Sequence, residues 1–285
     1  MTEILFFAHR VPFPPNRGDK IRGHHLLKKL ASMGCVHVGC FAESDEDRAG
    51  IAELASLTSS HCVVNRTKPL TLAGAQAVLT GQPVRLTAFH SAKLEDWVRE
   101  TLIRYPIDAI VVFSGQMGQY IPEDFAGRTV IDLCDVDSAK FEGYAAAGER
   151  VWLNAREGRL LAREEARLAE CCDATTLISD AEAALFLSRQ TGSSLPDVRV
   201  IGNGIDANAF NPAKVVPLPE LDGTPGPHFV FTGQMDYRPN EAAALWAIER
   251  FLPVARERWA EAQVHIVGRN PTSALKAHGQ TPGAR

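Results

Sequence analysis

The feature that most constrains this chain is an alternation of short, almost continuously apolar runs with longer stretches of helical spacing. The runs lie at residues 4–7, 36–41, 61–64, 109–113, 129–133, 175–178 and 198–201. Runs apolar throughout, rather than at every second position, suit parallel strands covered on both faces. Between two of them Leu26, Leu30 and Met33 share a helical face after Gly23, widened by Leu27, and Gly34 sits where that helix should stop. Residues 149–171 read as a long charged helix with Leu153, Leu160, Leu161 and Leu168 on its apolar side. Ser179-Asp180-Ala181-Glu182 has the form of a capping box. Strand–helix alternation in this order predicts an α/β fold built on a doubly wound, Rossmann-like sheet.

The pattern breaks at residues 211–227, where five prolines and two glycines in 17 residues preclude a regular helix and mark a linker. It divides an N-terminal domain, 1–210, from a second segment, 228–285, that begins a new βαβ unit. In that unit residues 229–232 and 264–267 read as strands, and Asn240 reads as the cap of a helix carrying Leu245, Ile248 and Leu252. A segment of about 60 residues with two strands falls short of a doubly wound domain. The expectation is therefore that the second domain is incomplete and the chain truncated.

Composition excludes several functions. Thirty Lys and Arg against 34 Asp and Glu leave a net charge of −4, so no overall field favours nucleic acid. No apolar run approaches the roughly 20 residues of a membrane-spanning helix, and the start is too short and too weakly basic for a signal peptide. A cytoplasmic protein is expected, with its six cysteines as reduced thiols, because none has the spacing of a zinc site. Asn65-Arg66-Thr67 and Arg17-Gly18-Asp19 match a glycosylation and an adhesion pattern, neither meaningful without export.

Ligands of doubly wound folds sit outside the carboxyl ends of the strands. The loop after the first run, residues 9–20, holds three prolines, Gly18 for close backbone approach, and Arg17, Lys20 and Arg22 to bind a phosphate or an acidic acceptor. His24 and His25 lack companions for a metal site, and no metal or other cofactor is expected. Ser114 follows the fourth run as a candidate substrate contact. Asp135 and Asp137 leave the fifth run, where they could orient a sugar or ribose hydroxyl; an Asp-x-Asp pair also occurs in metal-dependent transferases, and turn or cap aspartates are an equal alternative. Gly202-Asn203-Gly204-Ile205-Asp206-Ala207 imitates a dinucleotide fingerprint, but Asn211-Pro212 prevents the helix that the fingerprint requires.

The proline-rich loop, Thr-Leu-Ile-Ser-Asp-Ala-Glu, Val-Ile-Gly-Asn-Gly-Ile-Asp-x3-Phe-x-Pro and Phe-Thr-Gly-Gln-Met-Asp-Tyr-Arg-Pro-Asn-Glu follow one another in an order that resembles glycosyltransferase family 4. Within it they look most like the sugar transferases associated with exosortase/PEP-CTERM exopolysaccharide systems. The resemblance implies a GT-B fold, with an acceptor-binding first lobe and a donor-binding second one. It also implies hexosyl transfer from a nucleoside-diphosphate sugar to a glycan or lipid-linked acceptor, retaining and without an obligatory metal. By position it places Gly18 near the donor phosphates, Asp135 at the reacting sugar, Asn203 and Gly204 at the interlobe turn, and Gly233 at the donor-side loop. Many relatives clamp the diphosphate with an Arg and a Lys in that loop; here Arg238 is the candidate substitute. The Glu-x7-Glu segment that grips the donor has no counterpart, so little activity is expected of residues 1–285. Two other readings stand beside this one: a non-catalytic acceptor-binding module, and a nucleotide-dependent sugar epimerase or oxidoreductase. Peripheral membrane association through a basic face is left open, with no amphipathic helix in the sequence to argue for it.

Overall fold

The computed structural model describes residues 2–192, 195–216, 218–221 and 223–285. The chain separates into two compact units, Met1–Gly204 and Ile205–Arg285.

The first unit is built on a seven-stranded parallel sheet with strand order β3-β2-β1-β4-β5-β6-β7. The strands are β1 (Thr2–Ala8), β2 (Gly34–Ala42), β3 (Ser60–Asn65), β4 (Ala109–Phe113), β5 (Arg128–Cys134), β6 (Ala174–Leu177) and β7 (Val198–Val200). All seven apolar runs are therefore strands. The crossovers are α1 (Gly18–Ala31), the short α2 (Asp45–Ala49) and α3 (Ile51–Leu57), then α4 (Leu70–Thr80), α5 (Val84–Ala88) and α6 (Ala92–Arg104). After β5 come α7 (Asp137–Ala146) and α8 (Val151–Cys171), and α9 (Asp180–Ser188) joins β6 to β7.

Side chains of a strand alternate between faces, and β1 feeds two separate cores. Ile4, Phe6 and Ala8 pack with Leu27, Val36, Val38 and Leu54; Leu5 and Phe7 pack with Leu94, Ile110, Val112, Met117 and Leu168. Burial on both faces is the reason the central runs are almost continuously apolar; β7, at the sheet edge, is largely exposed and carries Arg199.

Three local expectations are corrected. Helix α1 ends at Ala31, leaving Met33 59% exposed, and Gly34 opens β2 instead of stopping a helix. A Cβ there would lie 2.1 Å from the Thr2 carbonyl oxygen, so strand packing selects the glycine. Ser179 Oγ does accept from the Glu182 amide at α9, but the Glu182 carboxylate turns away to accept from the Val136 amide at 2.8 Å. The box is half made, and its acid ties α9 to the end of β5.

The second unit holds two parallel strands, β8 (His228–Gln234) and β9 (Gln263–Arg269), with α10 (Arg238–Trp246), α11 (Leu252–Arg258) and α12 (Ser273–Ala277). Its small core gathers Met235, Ala244, Ile248 and Leu275. Helix α10 begins at Arg238 with Pro239 in its first turn, two residues ahead of the expected Asn240 cap. Asn240 Nδ2 instead donates to the Gln234 carbonyl, 3.1 Å away. A π turn, Ala247–Phe251, precedes α11; Pro253 lacks an amide and crowds the carbonyl four residues back, which accounts for the widened turn. Among the described residues no helix is long and apolar enough to cross a membrane.

Candidate functional site

The strand order reverses between β1 and β4, where chain running outward through β2 and β3 returns to the opposite side. At such a switch point the flanking crossovers diverge and open a crevice at the carboxyl edge. Two residues mark it here. His9 follows β1 and is buried, its ring centroid 5.2 Å from that of Phe113 and 6.2 Å from that of Phe89. Ser114 follows β4 with φ 80°, a conformation that strains a side-chain-bearing residue by about 1–3 kcal/mol. It is held there by its amide, which donates to the Asp132 carbonyl at 2.8 Å, and by its hydroxyl, which bonds Gln116 Oε1 at 2.7 Å.

The segment after His9 is rigid. Val11 donates to the Phe41 carbonyl at 2.9 Å, and Val11, Pro12 and Phe13 are buried. Phe13 lies so close to Gly50 that an added Cβ would meet its carbonyl oxygen at 2.6 Å. Lys20, buried in the first turn of α1, donates to that same carbonyl at 3.2 Å and ion-pairs with Asp47. Burial alone would raise the Asp47 carboxyl, but Lys20 and the amides of Glu43 and Ser44 outweigh it and hold it low. Lys20 thus stitches α1 to α2 and is committed within the protein.

The strand ends beside this segment carry a chain of alternating charge. Asp19 accepts from Arg17 at 2.7 and 3.0 Å, from Arg10 at 2.5 Å and from His9 Nε2 at 3.2 Å. Arg10 also grips Glu43, just past β2, at 2.7 and 2.9 Å, and Glu43 in turn pairs with Arg66, just past β3. Burial opposes ionisation of Asp19, yet hydrogen bonds from His9 and Arg17 and the charge of Arg10 hold it far below the usual carboxylate range. Burial, helped by Arg10 and Arg85, pushes the His9 imidazole down against the pull of Asp19. A neutral His9 that donates from Nε2 to Asp19 leaves Nδ1 as an acceptor, and this buried atom has no partner among the described residues. An orphaned buried acceptor awaits a donor.

Further along the edge β5 ends in Cys134, at φ 66°, where the register with β6 shifts. This kink turns Asp135 outward to an exposed position. Its carboxyl is pushed above the ordinary range by surrounding protein and by the charges of Asp137 and Glu182, against Lys140 and Arg22. Asp137 opens α7 and is taken up by Arg85 at 2.7 Å and Lys140 at 3.7 Å. Behind it Glu165 is buried; desolvation and the charge of Asp137 raise it to about 7 against hydrogen bonds from the Ser138 amide and hydroxyl. Inside the edge, Arg22 reaches from α1 to hold Asp132 of β5 through two bonds of 2.7 and 3.0 Å, and donates to Asn203 Oδ1, beyond β7, at 3.0 Å. Among the described residues no three His, Cys, Asp or Glu side chains gather to hold a metal ion.

In the second unit residues 235–237 join β8 to α10, so Gly233, expected to begin the loop, lies within β8 and Arg238 within the helix. Gly233 is closely approached, since a Cβ would lie 2.7 Å from Asn240 Nδ2, and Arg238 is exposed at the first position of a nine-residue helix. Of the amides that open α10, Pro239 has none and those of Asn240 and Glu241 donate to the Tyr237 carbonyl at 2.9 and 3.0 Å, so the Arg238 side chain is the candidate for an anion there.

Solved structures share this architecture over nearly the whole chain. Sucrose-phosphate synthase from Thermosynechococcus elongatus matches with a TM-score of 0.58 at 16% identity, over 100% of this chain and 70% of its own. An alpha,alpha-trehalose-phosphate synthase (UDP-forming) from Burkholderia xenovorans, in complex with glucose-6-phosphate, matches at 0.54 and 13%, over 96% and 67%. A putative UDP-N-acetylglucosamine 2-epimerase from Listeria monocytogenes matches at 0.53 and 11%, over 99% and 66%. The fold is of the GT-B type. No family profile matches the sequence, and no curated protein matches it.

On this GT-B framework the candidate residues fall into groups. Arg17, Gly18 and Lys20 share the start of α1, but Lys20 is enclosed, whereas Gly18 is exposed with nothing within 4 Å of an added Cβ. Ser114 is buried at the switch point, and Asp135 and Asp137 flank the kink after β5. Asn203 is drawn to the site by Arg22, while Gly204 is exposed and contacts nothing through a Cβ. Gly233 and Arg238 lie in the other unit. His9, Arg10 and Asp19 lie within the candidate loop 9–20 without having been singled out in it, and Glu43 and Arg66 lie outside every candidate segment. Their shared signal is position: His9, Arg10, Glu43 and Arg66 each stand one or two residues beyond a strand end.

Proposed function

We propose that this protein transfers a sugar, with retention, from a nucleoside-diphosphate sugar to a glycan or lipid-linked acceptor in exopolysaccharide or cell-envelope synthesis. The observation that carries the reading is the polar lining of the β1/β4 switch point: a buried His9 with an unpartnered Nδ1 beside a braced, alternating network of cations and carboxylates. Such a lining suits a polyhydroxylated ligand, whose hydroxyls both donate and accept. In this reading the first unit receives the acceptor, and a sugar hydroxyl donates to His9 Nδ1. Asp135 faces the reacting sugar, with Ser114, Asp137, Arg17, Gly18, Asn203 and Gly204 around it. In the second unit Gly233, near the end of β8, and Arg238, at the start of α10, are the candidate contacts of a diphosphate, where charge grows as the glycosidic bond breaks. Donors aimed at developing charge supply the largest catalytic contribution, roughly 3–4 kcal/mol for one such donor. The solved relatives named for UDP-sugar chemistry support the donor class.

The test is thermal denaturation with UDP, GDP and NADH, followed by sugar-transfer assays. A nucleotide at a hundredfold excess over its Kd stabilises by about 2.7 kcal/mol. UDP or GDP is expected to raise Tm by several degrees and NADH to leave it unchanged. Stabilisation by NADH alone would overturn the proposal in favour of an oxidoreductase. Epimerisation of a UDP-sugar without acceptor would overturn it in favour of the epimerase reading, and acceptor binding with no nucleotide effect would leave only a binding module.

A further inference from the structure

All six cysteines are free thiols, and two of them are neighbours at the end of α8. Cys171 is the last residue of the helix, and Cys172, at φ −99° and ψ 146°, is already extended. Successive side chains diverge by about 100° along a helix and by about 180° along a strand. Here the change of conformation between the two residues brings both sulfurs to one side, with Sγ 3.9 Å from Sγ. Of the six cysteines Cys171 is the exposed one, whereas Cys172 joins the core around Leu168 and Ala169.

Exposure and burial give the two thiols different parts. Cys171 is open to a reagent in solution; its sulfur donates to the Leu168 carbonyl at 3.5 Å and lies 4.0 Å from Arg167 Nη1. Burial, and then Cys171, push the Cys172 thiol up to about 12 against the Thr129 hydroxyl and Arg167, so Cys172 does not start a reaction. It is placed to finish one, because the sulfur it would attack is already in contact with it. The Cα atoms of adjacent residues are about 3.8 Å apart, below the roughly 4.4–6.8 Å that ordinary disulfides span. A bond made under that constraint is readily reduced, so the pair stays a dithiol in reducing surroundings and closes as the thiol–disulfide poise rises.

Closure has a structural consequence. The pair lies just before β6, at the amino edge of the sheet and away from the candidate site. The Cys172 amide ends α8 on the Leu168 carbonyl at 3.0 Å. The next residue, Asp173, donates from its amide to the Thr129 carbonyl at 2.9 Å and accepts from the Thr129 amide at 2.8 Å. These bonds seat the end of α8 and the start of β6 beside β5. To reach the ~2.05 Å of a sulfur–sulfur bond the two atoms must close almost half of their separation, which draws the Cys172 sulfur out of its packing.

We propose that Cys171 and Cys172 form an oxidation site for low-molecular-weight disulfides, with Cys171 as the entry thiol and Cys172 as the resolving one. Cys171 Sγ attacks one sulfur of a disulfide RSSR; the reagent's S–S bond breaks, and RS⁻ leaves and takes up the Cys171 proton. Cys172 Sγ then attacks Cys171 Sγ, and the second RS⁻ leaves with the Cys172 proton. The two cysteines are oxidised to one disulfide and RSSR is reduced to two RSH. The proposal does not depend on which reaction the protein catalyses. The test is incubation of the full chain with glutathione disulfide, followed by peptide mass mapping. The peptide holding both cysteines should first gain one glutathionyl group and then lose it together with two hydrogens, the second step quickening as pH rises. Cys172→Ala should stop at the glutathionyl adduct, and Cys171→Ser should yield neither product at this peptide. Phenylarsine oxide, whose arsenic bonds two thiols at once with loss of water, should shield both cysteines of the wild type from alkylation. The closed form should melt a few degrees lower, and dithiothreitol should restore it. A wild type that halts at the adduct, a disulfide joining another pair of cysteines in its place, alkylation undiminished by phenylarsine oxide, or a Tm unmoved by closure would each overturn the proposal.

Discussion

Replacing Asp132 by alanine should unfold the first unit at a much lower temperature, and the reason is the company Arg22 keeps. The two side chains are only 6% and 3% exposed, and the guanidinium gives two of its donors to Asp132 and one to Asn203. Removing the carboxylate leaves a buried cation with only the neutral Asn203 and Cys134 side chains beside it, and breaking a buried pair in this way costs about 3–5 kcal/mol. For a unit of about 200 residues each kcal/mol moves Tm by roughly 2–4 °C, so Asp132→Ala should lower it by about 6–20 °C in a calorimetric scan. Removing both charges, as in R22M/D132L, withdraws the desolvation cost along with the attraction and should recover most of the loss. A buried pair is also poorly screened, so the deficit should persist in high salt. If Asp132→Ala costs less than about 1 kcal/mol, or the double variant is as damaged as the single, the buried pair is not what joins α1 to β5.

Three further outcomes follow from the same edge of the sheet. Glu165 is held at about 7, above its unfolded value, so the folded state binds an extra proton between the two; the group's stabilisation is complete below the unfolded pKa and is lost as pH rises through 7. Glu165→Gln should therefore gain stability relative to wild type from pH 5 to pH 8, by on the order of 3 kcal/mol, and a constant difference in urea titrations would contradict this. His9→Phe keeps the ring among Phe89 and Phe113 but removes both nitrogens; if a sugar hydroxyl uses Nδ1, kcat/KM should fall by about ten- to a hundredfold, and unchanged transfer would remove His9 from the site. Gly50→Ala should push Phe13 and its segment off α3, at a cost of about 1–3 kcal/mol by heat denaturation, with weaker acceptor binding; an unshifted Tm would show the contact to be slack.

Much of the fold was legible because burial on two faces writes itself into composition. The residues of β1 feed separate cores on alternate sides, so the run had to be apolar throughout, and the same reasoning located the central strands, whereas β7, an edge strand with Arg199 and Val200 exposed, was legible only from its β-branched residues. Local patterns failed where a distant partner competed. Gly34 looked like a helix stop, but the Thr2 carbonyl across the β1–β2 pair selected it. Glu182 had the spacing to close a capping box, and the Val136 amide claimed it.

The candidate site divided along the same line. The sequence alone determined that a doubly wound sheet would form and that its strand-end loops would carry the polar chemistry, because periodicity and strand direction are local properties. Only the tertiary structure decided which charges remain available. Lys20 and Arg22 read as ready cations, yet each is enclosed by a carboxylate far away in sequence, Asp47 for one and Asp132 for the other. His9 opens the candidate loop but was not singled out in it, and only folding shows that its Nδ1 is buried without a partner among the described residues. Whether an ionisable group is free or neutralised depends on what folding packs against it, and the interactions that settle this act between residues up to 110 positions apart.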